Sequence, residues 1–595
     1  MVRDPHSYGN SNEVCPSHLA LELTLDFTQR RIDGRCDLTL VWSQPDVTHV
    51  DLDTRDLTIT AVTDGEARPL HYELGTPHPF MGSRLRVHLP QRQEAIRIVY
   101  HTHPDAAALQ WLTPAQTTSQ RLPFLFTQSQ AILARTWIPC MDSPGVRTTY
   151  DAVVHAPSGM TAVMGAHAET HEPEQGRFRF TMPYAIPAYL IALAAGELAF
   201  QSISDRTGVY AEPAVLDRAT WECDDMDRMI QAAETLYGPY RWGRWDTIIL
   251  PPSFPFGGME NPMLTFATPT ILAGDRSLVS LMAHELAHSW SGNLVTNATW
   301  GDFWLNEGFT TYFERRIVEA LYGHDLAEMQ WLLGQRTLAH TIDRLTPIEP
   351  EFTKLRMNLD DRDPDDAFSE LPYEKGANFL CVLENHFGRP TFDAFLQQYF
   401  EEHAFESMTT SRFLELIRNR LFDGDATAWD ALHINDWIYQ PGAPNNMIIP
   451  TSDHFECTRA AADTFINVNR LPTPASDAWT TAEWLDFLQS LPEIVALDKL
   501  QQLDHAFHFS QSGNAEILYA WLAVCIRNTY EPAFPVVEDF LCRQGRRKFL
   551  QPLYSALWAN PRSRDLAVAI YRQARPGYHP IAVATIDSIV ALSDN

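Results

Sequence analysis

The stretch HELAHSWSGNLVTNATWGDFWLNEG, His284 to Gly308, constrains this chain more than any other. His284 and His288 stand four residues apart, so on a helix they project from one face, one above the other. That spacing lets both imidazoles reach a single ion at about 2.0–2.1 Å. Glu285 lies about 100° further round the helix, beside the ion rather than on it, where a carboxylate takes a proton from water. A catalytic zinc needs a third protein ligand and an open position, and Glu307 on the next helical segment is the candidate. Three nitrogen and oxygen donors favour one Zn2+ per chain over calcium or magnesium, which prefer all-oxygen shells. Leu281, Met282, Ala283, Leu286, Ala287 and Trp290 surround the histidines with apolar surface, so a His-Glu cluster buried there needs a metal or partners. Thr311 and Glu314 follow Glu307 at four and seven residues, placed to support the ligands from behind.

Selectivity must come from elsewhere, and the sequence PPSFPFGGMENPMLTF lies just upstream. Gly257 and Gly258 let an extended backbone approach a ligand closely, and Met259-Glu260 follow at once. A carboxylate near a metal-held peptide carbonyl pairs with a free α-ammonium. An internal peptide segment leaves that carboxylate buried and unpaired, which is costly. The expected substrates are therefore peptides with a free N-terminus.

The first third of the chain alternates as β structure. HLALELTLDF puts Leu19, Leu21, Leu23, Leu25 and Phe27 on one face, Asp33-Gly34 offers a turn, and Cys36 to Trp42 alternates again. SRLRVHL and AIRIVYHTH read as further strands. From about residue 199, longer helical segments take over: DDMDRMIQAAETLYGPY, SLVSLMAHELAHSWSG and NEGFTTYFERRIVEALYG. Gln440 to Asp453 lacks periodicity and reads as a linker. Beyond it the pattern is all helical. TTAEWLDFLQSL opens on a capping box, Thr480 with Glu483, and later helices are punctuated by Pro532, Pro535, Pro561, Pro576 and Pro580.

With 595 residues the chain exceeds a single core. Lys plus Arg number 45 against 75 Asp plus Glu, a net charge of −30 that repels nucleic acid and anionic membrane surfaces. The longest uncharged apolar run, Met182 to Gly196, is broken by Pro183 and Pro187 and falls short of the roughly 18 residues of a membrane span. Eight scattered cysteines fit reduced thiols, and the N-terminal stretch has no secretory pattern, so a cytoplasmic monomer is expected.

GGMEN, HELAH and a second glutamate nineteen residues after His288 together resemble the aminopeptidase N family of zinc metallopeptidases. The likeness is strongest to its branch of leukotriene A-4 hydrolases and bacterial aminopeptidases. TQSQAILARTWIPCMDSPGVR, DPDDAFSELPYEKG and GRRKF extend it over nearly the whole chain. It implies a multidomain α+β protein with three parts. These are an N-terminal antiparallel β domain (1–198), a thermolysin-like zinc catalytic domain (199–445) and a C-terminal all-α helical domain (454–595). It assigns the ligands to His284, His288 and Glu307, and the general base to Glu285. By the same resemblance, Tyr373 donates to the oxyanion, and Gln130 joins Glu260 at the peptide N-terminus. Arg546, with Lys548 alongside, meets the terminal carboxylate of a short peptide. Asp365 matches a carboxylate used in lipid-epoxide opening, but Phe368 and Phe256 stand where that branch has tyrosines. Epoxide hydrolysis and a non-catalytic peptide-binding role are the competing readings.

Overall fold

The computed structural model describes residues 3–172, 175–472 and 479–590; the last five residues of the expected helical domain lie outside it. A seven-stranded sheet dominates the N-terminal part. Its order is His167–Glu172, Arg177–Pro187, Arg147–His155, Val14–Asp26, Arg31–Trp42, Ala95–His101, Thr58–Asp64. Every neighbouring pair is antiparallel except Val14–Asp26 with Arg147–His155, which is parallel. Leu19, Leu21, Leu23 and Leu25 are all buried, as period-two alternation requires. The chain reverses at residues 27–30, not at Asp33-Gly34. Those two residues lie inside Arg31–Trp42, paired with His101 and Tyr100. A good local turn pair has been overridden by sheet pairing: a side chain at Gly34 would run into the Tyr100 ring. A four-stranded and a three-stranded sheet complete this part.

The central part opens with a five-stranded mixed sheet, Ala199–Ser202, Thr207–Ala211, Trp245–Ile249, Leu264–Ala267 and Gly258–Met259 in that order. The three inner strands are parallel, and the edge strand Gly258–Met259 pairs antiparallel with Leu264–Ala267 and packs against the helix Val279–Ala287. Helix Trp304–Tyr322 lies in the middle of this part, packed on Val279–Ala287, His324–Leu345 and Glu370–Phe387. It is buried on nearly every side, from Trp304 to Val318 with few breaks, rather than along one stripe. The β and catalytic parts share one continuous hydrophobic core from Val14 to Ile438, whereas the helical part has its own, from Ala462 to Val590.

Residues 440–452 contain no helix or strand, but they form a pinned strap rather than a free linker. Lys375 Nζ donates to the Gln440 carbonyl (3.1 Å), Gly442 N–H to Thr353 Oγ1 (2.9 Å), and Asn378 exchanges two hydrogen bonds with the Ile448 backbone. Beyond it, alternate helices stack. Thr481–Gln489, Ala515–Arg527, Arg547–Ala559 and Pro580–Asp587 make one row, with Phe534–Arg543 and Arg564–Ala574 beside them. The Thr480–Glu483 capping box forms. Pro535 and Pro580 sit in first turns, where a missing N–H costs nothing, while Pro552 lies inside Arg547–Ala559. Among the described residues no helix is long and apolar enough to cross a membrane.

Candidate active site

Helix Val279–Ala287 ends at His288, so His284 and His288 occupy its last turn and point the same way. Glu307 lies in the first turn of Trp304–Tyr322, with its side chain brought back over both histidines. Glu307 Oε2 is 3.5 Å from His284 Nε2 and 3.4 Å from His288 Nε2. Two ligands about 2.0–2.1 Å from one tetrahedral ion stand about 3.3 Å apart, so these spacings fit zinc. The three donor atoms lie within 4.8 Å of one another, and Glu307 Oε2 is buried with no hydrogen-bond partner. A buried oxygen left unpaired among imidazole nitrogens suits a metal-ligand set.

The far sides of both rings are held. Glu314 Oε2 lies 3.0 Å from His284 Nδ1, and the Ser291 carbonyl lies 2.9 Å from His288 Nδ1. Thr310 Oγ1 adds a contact to His288 Nδ1 at 3.1 Å. These partners put the proton on Nδ1 and leave Nε2 for the metal. Thr311, also a sequence candidate for this support, keeps its Oγ1 buried and unpartnered, and its neighbour Thr310 does the work instead.

Glu285 faces the edge strand. A Cβ on Gly258 would fall 2.1 Å from Glu285 Oε1, so only glycine lets the strand pass so near this carboxylate. Burial pushes Glu285 up to about 7, against the pull of His284 and His288. Glu260, next along the chain, is buried with Oε1 unpartnered, and burial raises its pKa too. The Met259 side chain turns away into the core, where its sulfur accepts from Gln128 Nε2 at 3.3 Å. That contact brings the loop carrying Gln130 alongside the strand, and Gln130 Nε2 is likewise buried without a partner. Tyr373, on Glu370–Phe387, stacks at 5.9 Å on the His284 ring. Burial, with Glu307, Glu370, Glu260 and Glu285 nearby, keeps its hydroxyl protonated.

Family models match this chain in order along its length. The peptidase M1 N-terminal domain covers residues 15–190, the peptidase family M1 domain 221–434 and the leukotriene A4 hydrolase C-terminal domain 479–590. Over 603 residues, 98% of each chain, it is 37% identical to leukotriene A-4 hydrolase of Xenopus laevis. The chain belongs to peptidase family M1. It is also 35% identical to leucine aminopeptidase 2 of Yarrowia lipolytica, covering 97% of this chain and 92% of that one. Yeast LTA4 hydrolase in complex with bestatin superposes with a TM-score of 0.92 at 31% identity, over 99% of this chain and 98% of that chain. The three-part architecture is the one expected of the M1 peptidase.

The helical part of this M1 peptidase reaches the edge strand through Arg546. Arg546 caps helix Arg547–Ala559 and reaches the edge strand so closely that a Cβ on Gly257 would lie 2.7 Å from its Nη2. Arg546 Nη1 donates to Thr270 Oγ1 (3.2 Å) and Glu516 Oε1 (3.3 Å), and Lys548 Nζ donates to the same Glu516 oxygen (2.8 Å). Glu516 has no local sequence signal, because its partners stand 30 and 32 residues away on another helix. Asp365 lies on the turn Pro364–Ala367. Burial pushes its carboxyl up to about 7, Asp363 adding to the rise and Arg547 opposing it. Phe368, three residues on, is 6.5 Å from Phe256 and 4.8 Å from Phe303 between ring centroids, three rings without a hydroxyl, and Tyr373 packs 6.1 Å from Phe303.

Proposed function

We propose that this M1 peptidase is a zinc-dependent aminopeptidase that removes the N-terminal residue of short peptides. His284, His288 and Glu307 would hold the ion. When bound, zinc supplies Lewis acidity and compensates the negative charge that builds on the scissile carbonyl. Glu285 takes a proton from the attacking water and returns it to the leaving amine. The Tyr373 hydroxyl donates to the developing oxyanion from a preorganised position. Glu260 and Gln130 receive the α-ammonium, and Arg546 with Lys548 draws the far carboxylate. Eight free cysteines suit a reducing compartment, so the proposal includes a cytoplasmic monomer with one zinc per chain. Domain borders near residues 198 and 445–454 belong to it as well.

The observation that carries the exopeptidase reading is Glu260, a buried carboxylate oxygen without a partner beside the proton-transferring Glu285. The test compares one tripeptide with a free N-terminus against its N-acetylated twin, each with and without a zinc chelator. Chelator-sensitive cleavage of the free peptide alone is expected. Equal cleavage of both overturns the role of Glu260. Asp365 favours a second reading, lipid-epoxide hydrolysis, while the hydroxyl-free rings of Phe256 and Phe368 disfavour it; an epoxide substrate in the same assay decides between them.

A further inference from the structure

Close to both Tyr373 and the Arg546–Lys548 pair stands a carboxylate that the mechanism does not use. Glu370 is the first residue of helix Glu370–Phe387, following the N-cap Ser369. Tyr373 stands three residues on, so the two side chains share a face. Glu370 is exposed to water, yet enough protein surrounds its carboxyl for burial to raise its pKa. The charged groups it faces are Lys548, Glu374, Arg546 and Glu516.

Its neighbours are engaged elsewhere. Glu374 makes a bidentate pair with Arg315 at 2.6 and 2.9 Å, and Glu516 holds both Arg546 and Lys548. Among the described residues no side chain comes within hydrogen-bond or ion-pair distance of Glu370. With Glu374 taken up by Arg315, Glu516 and Glu370 offset the charges of Arg546 and Lys548, so the hold on a terminal carboxylate comes from the donors of Arg546 and Lys548 rather than from net charge. Arg546 still keeps a buried Nε with no partner, which a peptide carboxylate can take. A peptide anchored at Glu260, cut beside Glu285 and Tyr373, and ending at Arg546 must carry the residues after the cut bond past Glu370.

We propose that Glu370 forms a subsite for a cationic side chain, lysine or arginine, at the second or third residue of the peptide. A long cationic side chain gives this carboxylate the partner the fold does not provide. The role rests on the aminopeptidase reading above and specifies the substrate class it acts on.

The test uses the zinc-loaded enzyme with Leu-Lys-Ala and Leu-Ala-Lys, each against its norleucine counterpart, which keeps the stem and removes the charge. In the native enzyme kcat/KM should favour lysine about fivefold at one of the two positions, the scale of a partly exposed ion pair. The preference should weaken with added salt. The lysine-to-norleucine ratio should fall to about one in Glu370→Gln and below one in Glu370→Lys, as a charge pair of this size requires. Taking the ratio within each enzyme cancels differences in folding or zinc content. Equal rates for all four peptides in the native enzyme, or a lysine preference that survives Glu370→Gln, overturn the subsite. No cleavage of any of the four overturns the aminopeptidase reading, and the subsite with it.

Discussion

Gly308 follows Glu307, a ligand in the proposed zinc site, at the point where helices Trp304–Tyr322 and Glu370–Phe387 touch backbone to backbone. A Cβ on Gly308 would lie 2.7 Å from the Gly376 Cα, 3.0 Å from its carbonyl carbon and 3.1 Å from the Pro372 oxygen. Carbon atoms settle at about 3.5–4.0 Å, so Gly308→Ala forces the two helices about 1 Å apart. By helix propensity alone, alanine is favoured over glycine by about 1 kcal/mol. Overpacking costs about 1–3 kcal/mol and should outweigh that gain, giving a less stable protein. The functional effect should be larger, because one helix carries Glu307 and the other carries Tyr373. A misplacement of about 1 Å between such groups costs about a hundredfold in rate. The assay is kcat/KM on a free tripeptide, with zinc content and thermal midpoint measured on the same preparation. A variant with full zinc, native kcat/KM and a raised midpoint would refute the packing account.

Glu314→Ala removes the carboxylate behind His284 Nδ1 and should weaken zinc binding about 10–100-fold, read by competition with a chelator; unchanged affinity would mean that Glu314 does not orient the ligand. His579 is fully buried at the start of helix Pro580–Asp587, where Nδ1 accepts from the Ile581 N–H and so must be unprotonated. Burial, with Arg547 nearby, lowers its pKa from 6.5 to about 3. Between those values the unfolded chain binds more protons, so this group's contribution is full above pH 6.5 and is lost as pH falls toward 3, by at most about 5 kcal/mol. His579→Asn, which keeps an acceptor for the helix end, should flatten the acid limb of stability measured by denaturant unfolding from pH 7 to 4. An unchanged slope sinks that assignment.

Local spacing made the metal half of the site legible. His284 and His288 share a helix face whatever surrounds them, and Glu307 opens the next long helix. The base Glu285 follows from the same geometry, and the alternating leucines of Val14–Asp26 predict their own burial. Where local signals competed with the rest of the fold, they lost. Asp33-Gly34 joined a strand because neighbouring strands supplied hydrogen bonds on both sides. The Gln440–Asp453 stretch became a strap because Asn378, Thr353 and Lys375 satisfied its backbone. Helix Trp304–Tyr322 is surrounded on nearly every side, so most of its polar residues are buried along with its apolar ones.

The sequence alone named the groups on which the proposed chemistry rests: a paired histidine helix, Glu285 beside it, Glu307 as candidate third ligand and the carboxylate Glu260 after two glycines. Helix geometry places His284, Glu285 and His288 relative to one another without help from distant chain, whereas bringing Glu307 and Glu260 to them needed the helix Trp304–Tyr322 and the edge strand to pack there. Only the tertiary structure decided what holds those groups and what they meet. Ser291 and Thr310 lie behind His288, Glu516 joins Arg546 to Lys548, and Glu370 stands near Lys548 and Arg546 without pairing to either. Apart from the short Ser291 contact, these relationships join separate elements, and no periodicity encodes which helices come together when a core closes.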